Sequence, residues 1–253
     1  IYRREGNIAL IQVTRFLQGT ARQVARAVAD AKREIGPNLA GIILDLRNAT
    51  GGLVGSASAF GAGSSLTFTN TYATGAVDNT GATTGGLIGA LNGNVTINGS
   101  YATGDVTTTG GSVGGFIGIV NNTNGVAINS SYASGNVSTT SASASGIGGF
   151  IGDATATKNN TSFSTGNVSA LRIFGGFIGT ARAGTVLQDV YTTGNLTLNG
   201  PGTPANIGGL VGFVGGATTI RNAYSAGTVP TANATNNVAA SIGTGAGGTL
   251  SNV

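Results

Sequence analysis

Two short motifs recur along residues 51–253 with a common period of about thirty-one residues, and that recurrence limits the fold more than any other property. A Gly-Gly-apolar-apolar-Gly box stands at 51–55, 85–89, 114–118, 148–152, 175–179 and 208–212, with a decayed copy, AASIG, at 239–243. An aromatic-small-small-Gly box follows each full copy, opened by Tyr72, Tyr101, Tyr132, Phe163, Tyr191 and Tyr224. Successive aromatics lie 29, 31, 31, 28 and 33 residues apart. Two independent motifs holding one period through six copies define a structural repeat.

Each unit also alternates apolar and polar residues, the pattern of half-buried strands. Five residues after the aromatic stand Val77, Val106, Val137, Val168, Leu196 and Val229; four before it stand Phe68, Ile97, Ile128, Asn159, Leu187 and Ile220. Asn-Gly, Gly-Asn and Asn-Asn pairs between them tolerate positive φ and permit sharp corners. The expectation is a mainly β chain: a parallel β-solenoid (β-helix) of about six ~31-residue repeats, preceded by a small N-terminal βαβ unit. At ~4.8 Å per coil, six coils make a rod roughly 30 Å long.

The recurring aromatic reads as a filler capping the core at a corner, in preference to a ligand-stacking row, because aromatics are habitual core residues. Asn136, Asn167 and Asn195, each following a box glycine, read as an internal amide ladder.

Composition narrows the chemistry. His, Cys, Met and Trp are absent, which removes imidazole and thiolate groups, disulfides and the usual soft metal ligands. Neither a metal nor a cofactor site is expected. Residues 1–50 carry eight Lys/Arg and four Asp/Glu, whereas residues 51–253 carry four of each, so the whole net charge of +4 sits in the first segment. Those cations decorate a helix without interleaved aromatics, so nucleic-acid binding is not expected. No apolar run reaches the roughly 18 residues of a membrane span. The first residue is Ile1, so the sequence reads as an internal segment whose targeting signal is not visible.

The composition break near residue 50 predicts two domains, 1–50 and 51–253. In the first, Asn7–Val13 reads as a strand and Thr20 as a helix N-cap. Val24, Ala27, Val28, Ala31 and Ile35 follow at helical spacing, and Gly36-Pro37 is the stop. Gly41–Leu46 reads as a strand buried on both faces.

The repeats GGLIG…VTINGSYATGDV and GGFIG…VAINSSYASGNV resemble the GLUG repeat of large bacterial surface and exported proteins. Over residues 51–253 that resemblance implies a β-solenoid stalk or adhesive region, extracellular or on a bacterial cell surface. Its partners would be host or neighbouring-cell surface molecules, protein or glycan. It carries no catalytic residue with it.

The first segment, NIALIQVTRF, a helix, then GIILDLRNATGGLV, resembles the S41 serine peptidases, the C-terminal-processing proteases, over residues 1–52. Leu44-Asp45-Leu46-Arg47-Asn48 and Gly51-Gly52 match that family's signature, while Ala49-Thr50 stand where Asn-Pro is usual. The resemblance implies an oxyanion position at Gly51. Ser56 and Ser58, in Gly55-Ser56-Ala57-Ser58-Ala59, imitate the family's nucleophile motif but follow the signature too closely. No Lys occurs between Lys32 and Lys158, and a nucleophile needs a base within hydrogen-bond reach. A Gly/Ser/Ala linker is the better reading, and Gly51–Gly55 serves both motifs at once.

Three functions follow in order: a non-catalytic surface repeat protein, an incomplete and inactive S41 peptidase fragment, and a glycan- or ice-binding solenoid. The last rests on Thr67, Thr69, Thr107, Thr108, Thr109 and Thr197, which do not share one register.

Overall fold

The computed structural model describes residues 2–12, 20–45, 52–59, 64–121, 125–144, 146–200, 206–231 and 237–253. The chain divides into two compact units, Ile1–Gly51 and Gly52–Val253.

The first unit is a three-stranded sheet with one helix. β1 (Tyr2–Glu5) pairs antiparallel with β2 (Ile8–Gln12), and β2 pairs parallel with β3 (Gly41–Asp45) after α1 (Thr20–Ile35). The parallel βαβ crossover is the expected one; β1 is an addition to it. Gly6, at φ 61°, makes the tight turn that folds β1 back on β2. The helix opens at Thr20 itself, and the 3-10 turn Gly36–Asn38 ends it where Gly-Pro removes a helical donor. Ala31 and Ile35 on its buried stripe pack with Ala9, flanked by Tyr2 and Leu39. Val13 and Leu46 lie outside the described residues, as do the side chains of β3 on which burial of both faces would be judged.

The second unit is a parallel β-solenoid of about six turns. Its first ladder starts inside the glycine box and aligns Val54, Ile88, Ile117, Ile151, Ile178, Val211 and Ile242. Ile242 belongs to the decayed box, which therefore still forms a rung. A second ladder aligns Phe68, Ile97, Ile128, Asn159, Leu187, Ile220 and Leu250. A third aligns Val77, Val106, Val137, Val168 and Leu196. A fourth, just before the box, aligns Thr84, Val113, Ile147, Phe174, Ile207 and Val238.

These ladders enclose two separate apolar columns. One holds the glycine-box and second-ladder side chains, with Phe116, Phe150 and Phe177 stacked at 4.6 and 4.8 Å along its axis. The other lies between the third and fourth ladders. A waist separates them, where the second glycine of the five boxes from 85–89 to 208–212 faces the residue after the aromatic. A Cβ on Gly86 would stand 3.1 Å from Ala102 Cβ, and one on Gly115 would stand 3.2 Å from Ala133 Cβ. Both would also strike a carbonyl oxygen of the next coil. Two strands can approach this closely only where one has no side chain and the other a small one.

Between the second ladder and the aromatic, every coil turns through one left-handed residue. Asn70, Gly99, Ser130, Thr161, Asp189 and Asn222 hold φ between 48° and 57°, each two residues before an aromatic. Asn and Gly suit that conformation, and the inter-coil hydrogen bonds hold Ser130 and Thr161 in it (Ser130 N–H to Asn160 O, 3.0 Å; Thr161 N–H to Gln188 O, 3.1 Å).

Candidate functional site

The left-handed turn decides where the aromatics go. Ile97 points inward, the chain turns at Gly99, Ser100 points inward, and Tyr101 is then aimed outward while Ala102 fills the waist. The same sequence recurs in each coil, so Tyr72, Tyr101, Tyr132, Phe163, Tyr191 and Tyr224 form one external row. Their ring centroids are 5.0, 5.0, 5.0, 4.9 and 5.1 Å apart, with interplanar angles of 2° to 7°. This corrects the expectation that the aromatics cap the core. The waist has no room for a ring, and the phenylalanines of the glycine boxes fill the interior instead.

The row is a ridge of edges. Inner rings cover one another's faces and are partly buried, while the terminal Tyr72 and Tyr224 are 39% and 55% exposed. No ligand can stack on the inner faces; what the row presents is phenol edges. Burial, and then the neighbouring Tyr132 and Tyr72, push the Tyr101 phenol above its ordinary value, so it stays neutral at physiological pH.

Beside the ridge runs a row of carboxylate and amide side chains that accept backbone N–H groups across coils. Asp105 Oδ1 accepts from Asn136 N–H at 2.7 Å, Asn136 Oδ1 from Asn167 at 3.0 Å, Asn167 Oδ1 from Asn195 at 2.9 Å, and Asn195 Oδ1 from Thr228 at 2.9 Å. The expected ladder exists but is exposed, not internal, because the residue after the box glycine lies on the outer side of the bend. The buried polar row is a hydroxyl relay. Ser100 and Ser131 Oγ each donate to a carbonyl two residues back (3.0 and 2.9 Å) and accept an N–H from the preceding coil (3.1 and 3.2 Å). Nothing in the composition singled out this relay, although Ser or Thr precedes four of the six aromatics.

The threonines divide between rows. Thr107 and Thr197 share an outward row with Asp78, Ser138 and Ser169. Thr67 sits opposite Thr96 on another ladder, and Thr108 is buried, accepting the Gly110 N–H at 2.9 Å.

Ser56 and Ser58 lie on the strand Val54–Ala59, the first rung of the box ladder. Ser56 is exposed opposite Ala90; Ser58 Oγ accepts from Asn92 Nδ2 at 3.4 Å, and an amide is not a base. Lys158 sits on the second ladder between Ala127 and Val186, on a later coil. Gly51 lies outside the described residues. Among the described residues no group of three or more Asp or Glu gathers where a metal could be held. Among the described residues no helix is long and apolar enough to cross a membrane.

Two buried polar side chains differ in how they are satisfied. Asp153, 3% exposed, is met by Arg182 of the next coil at 2.7 and 2.6 Å. Asn159 occupies a second-ladder position that is apolar in the other coils, fully buried, with neither amide atom hydrogen-bonded.

The model of peptidase family S41 matches residues 7–83. The matched stretch begins at β2 and runs past the signature through the first coil of the solenoid unit. No curated protein and no solved structure matches.

Proposed function

We propose that residues 52–253 are a non-catalytic presenting surface, a stalk or adhesive region on the outside of a bacterial cell. The observation that carries this reading is the outward repetition: six aromatics and a parallel row of Asn and Asp side chains, each recurring once per coil. Such rows offer the same chemistry many times over, which suits multivalent contact with protein or glycan surfaces better than one-site catalysis. The likeness of the repeats to GLUG repeats of bacterial surface proteins supports the same reading. Binding of the purified chain to glycan arrays and to host or bacterial cells tests it. Contact that weakens when Asn136, Asn167 and Asn195 are replaced together by Ala supports it; no binding to any surface counts against it.

The match to peptidase family S41 favours a second reading, a serine peptidase of which the chain holds a part. A fluorogenic peptide assay separates the two. Turnover lost in the Ser56→Ala or Ser58→Ala variant overturns the non-catalytic reading, and absence of turnover supports it.

A further inference from the structure

The external row has a chemical property that neither reading uses. Each ring is close to a copy of the one before, displaced by a single rung, so like carbons of neighbouring tyrosines stand about 5 Å apart along the row. The rings are partly exposed and belong to neither apolar column. Tyr72, Tyr101 and Tyr132 form one contiguous run and Tyr191 with Tyr224 a second; Phe163, which has no hydroxyl, stands between them.

We propose that this row is an oxidative modification site at which adjacent coils become joined by dityrosine. The co-reactant is a one-electron oxidant of the haem-peroxidase class working with hydrogen peroxide. Each phenol gives up one electron and its hydroxyl proton, leaving a tyrosyl radical. Two neighbouring radicals couple by forming a bond between ring carbons ortho to the oxygens. The hydrogens on those two carbons then move to the oxygens, restoring both phenols. The net change is the loss of two ring C–H bonds and the gain of one C–C bond; two electrons and two protons reduce one hydrogen peroxide to two waters. A chain without cysteine can in this way acquire a covalent tie between coils. Each tie closes a loop of 29, 31 or 33 residues and restricts the unfolded chain as a disulfide would.

The full chain, dilute enough to stay monomeric, is treated with a haem peroxidase and hydrogen peroxide, then read by intact mass, dityrosine fluorescence and cross-linked peptide mapping. The expected product has lost two hydrogens per link, and its links join Tyr72 to Tyr101, Tyr101 to Tyr132 and Tyr191 to Tyr224. None joins Tyr132 to Tyr191, which stand two rungs or about 10 Å apart. The Tyr101→Phe variant, which places in the row a residue already tolerated at Phe163, keeps only the Tyr191–Tyr224 link. The Phe163→Tyr variant gains links to Tyr132 and Tyr191. The proposal is overturned if no intramolecular link forms in the folded chain. It is equally overturned if links involve Tyr2 or non-adjacent tyrosines as often as row neighbours, or if the urea-unfolded chain gives the same pattern.

Discussion

Arg182 reaches one coil back to close a two-point ion pair on Asp153, with Nε at 2.7 Å and the terminal nitrogen at 2.6 Å from the two carboxylate oxygens. The carboxylate is 3% exposed and the guanidinium half exposed, so the pair joins a buried charge to a partly hydrated one. The hydrogen bond to Asp153 raises the Arg182 pKa above its already high ordinary value. Its contribution is therefore fully present below that ordinary value and is lost only at extreme alkalinity. Arg182→Ala leaves Asp153 unpaired with little water, and we expect a loss of about 2–3 kcal/mol, read from the urea midpoint at neutral pH. An unchanged midpoint would show that water already solvates the carboxylate.

Asn159 presents the opposite situation, a buried amide with both atoms unpartnered in a column of apolar side chains. Asn159→Leu, the residue found at the next rung as Leu187, should stabilise the chain by about 1–2 kcal/mol. Thermal or urea unfolding measures it; a loss of stability would mean that the amide has a partner in solution.

At the waist, size is the constraint. Gly115→Ala places a methyl against Ala133 and the Gly149 carbonyl, neither of which is a flexible side-chain end. A destabilisation of about 2–3 kcal/mol or more is expected, since backbone has to move. Gly55→Ala is the control: nothing lies within 4 Å of the added Cβ, and its stability should stay within about 0.5 kcal/mol of the parent. Equal costs at both sites would refute the waist.

The raised Tyr101 pKa gives a pH dependence. Because the folded chain resists phenolate formation more than the unfolded chain does, this tyrosine's contribution is complete below the ordinary value near 10 and declines as pH rises beyond it. Absorbance titration should show Tyr101 ionising after the tyrosines of the urea-unfolded chain. Tyr101→Phe should unfold less readily at alkaline pH than the parent; a parallel decline in both would remove the effect from Tyr101.

The solenoid was legible because its inward residues recur at one period: Val106, Val137 and Val168 stand opposite one another, as do Ile97 and Ile128. The direction of the aromatics was not. Counting by twos from Ile97 puts Tyr101 inside, and the count fails because the left-handed residue at Gly99 shifts the phase by one. That shift is visible only in backbone angles, since Asn, Gly, Ser, Thr and Asp all occupy the position. The smallness of Ala102, Ala133 and Ser164 was the available signal: a small residue recurring beside a large one marks which of the two is confined. β1 was missed because YRRE has neither apolar alternation nor a length that signals a strand; its partner β2 supplies both. Ser56 and Ser58 read as linker but stand on the first rung of the box ladder; a motif fixes neither a base nor its distance, and among the described residues Ser58 Oγ accepts from the Asn92 amide.

The division of the interior has a mechanical result. Two apolar columns held apart by a thin glycine–alanine web have the cross-section of a girder, with dense material far from the neutral line. Such a section resists bending across its wide dimension more than along its narrow one. Residues 52–253 should therefore flex in one preferred plane, set by nothing larger than the absence of a methyl group at the second position of each full glycine box.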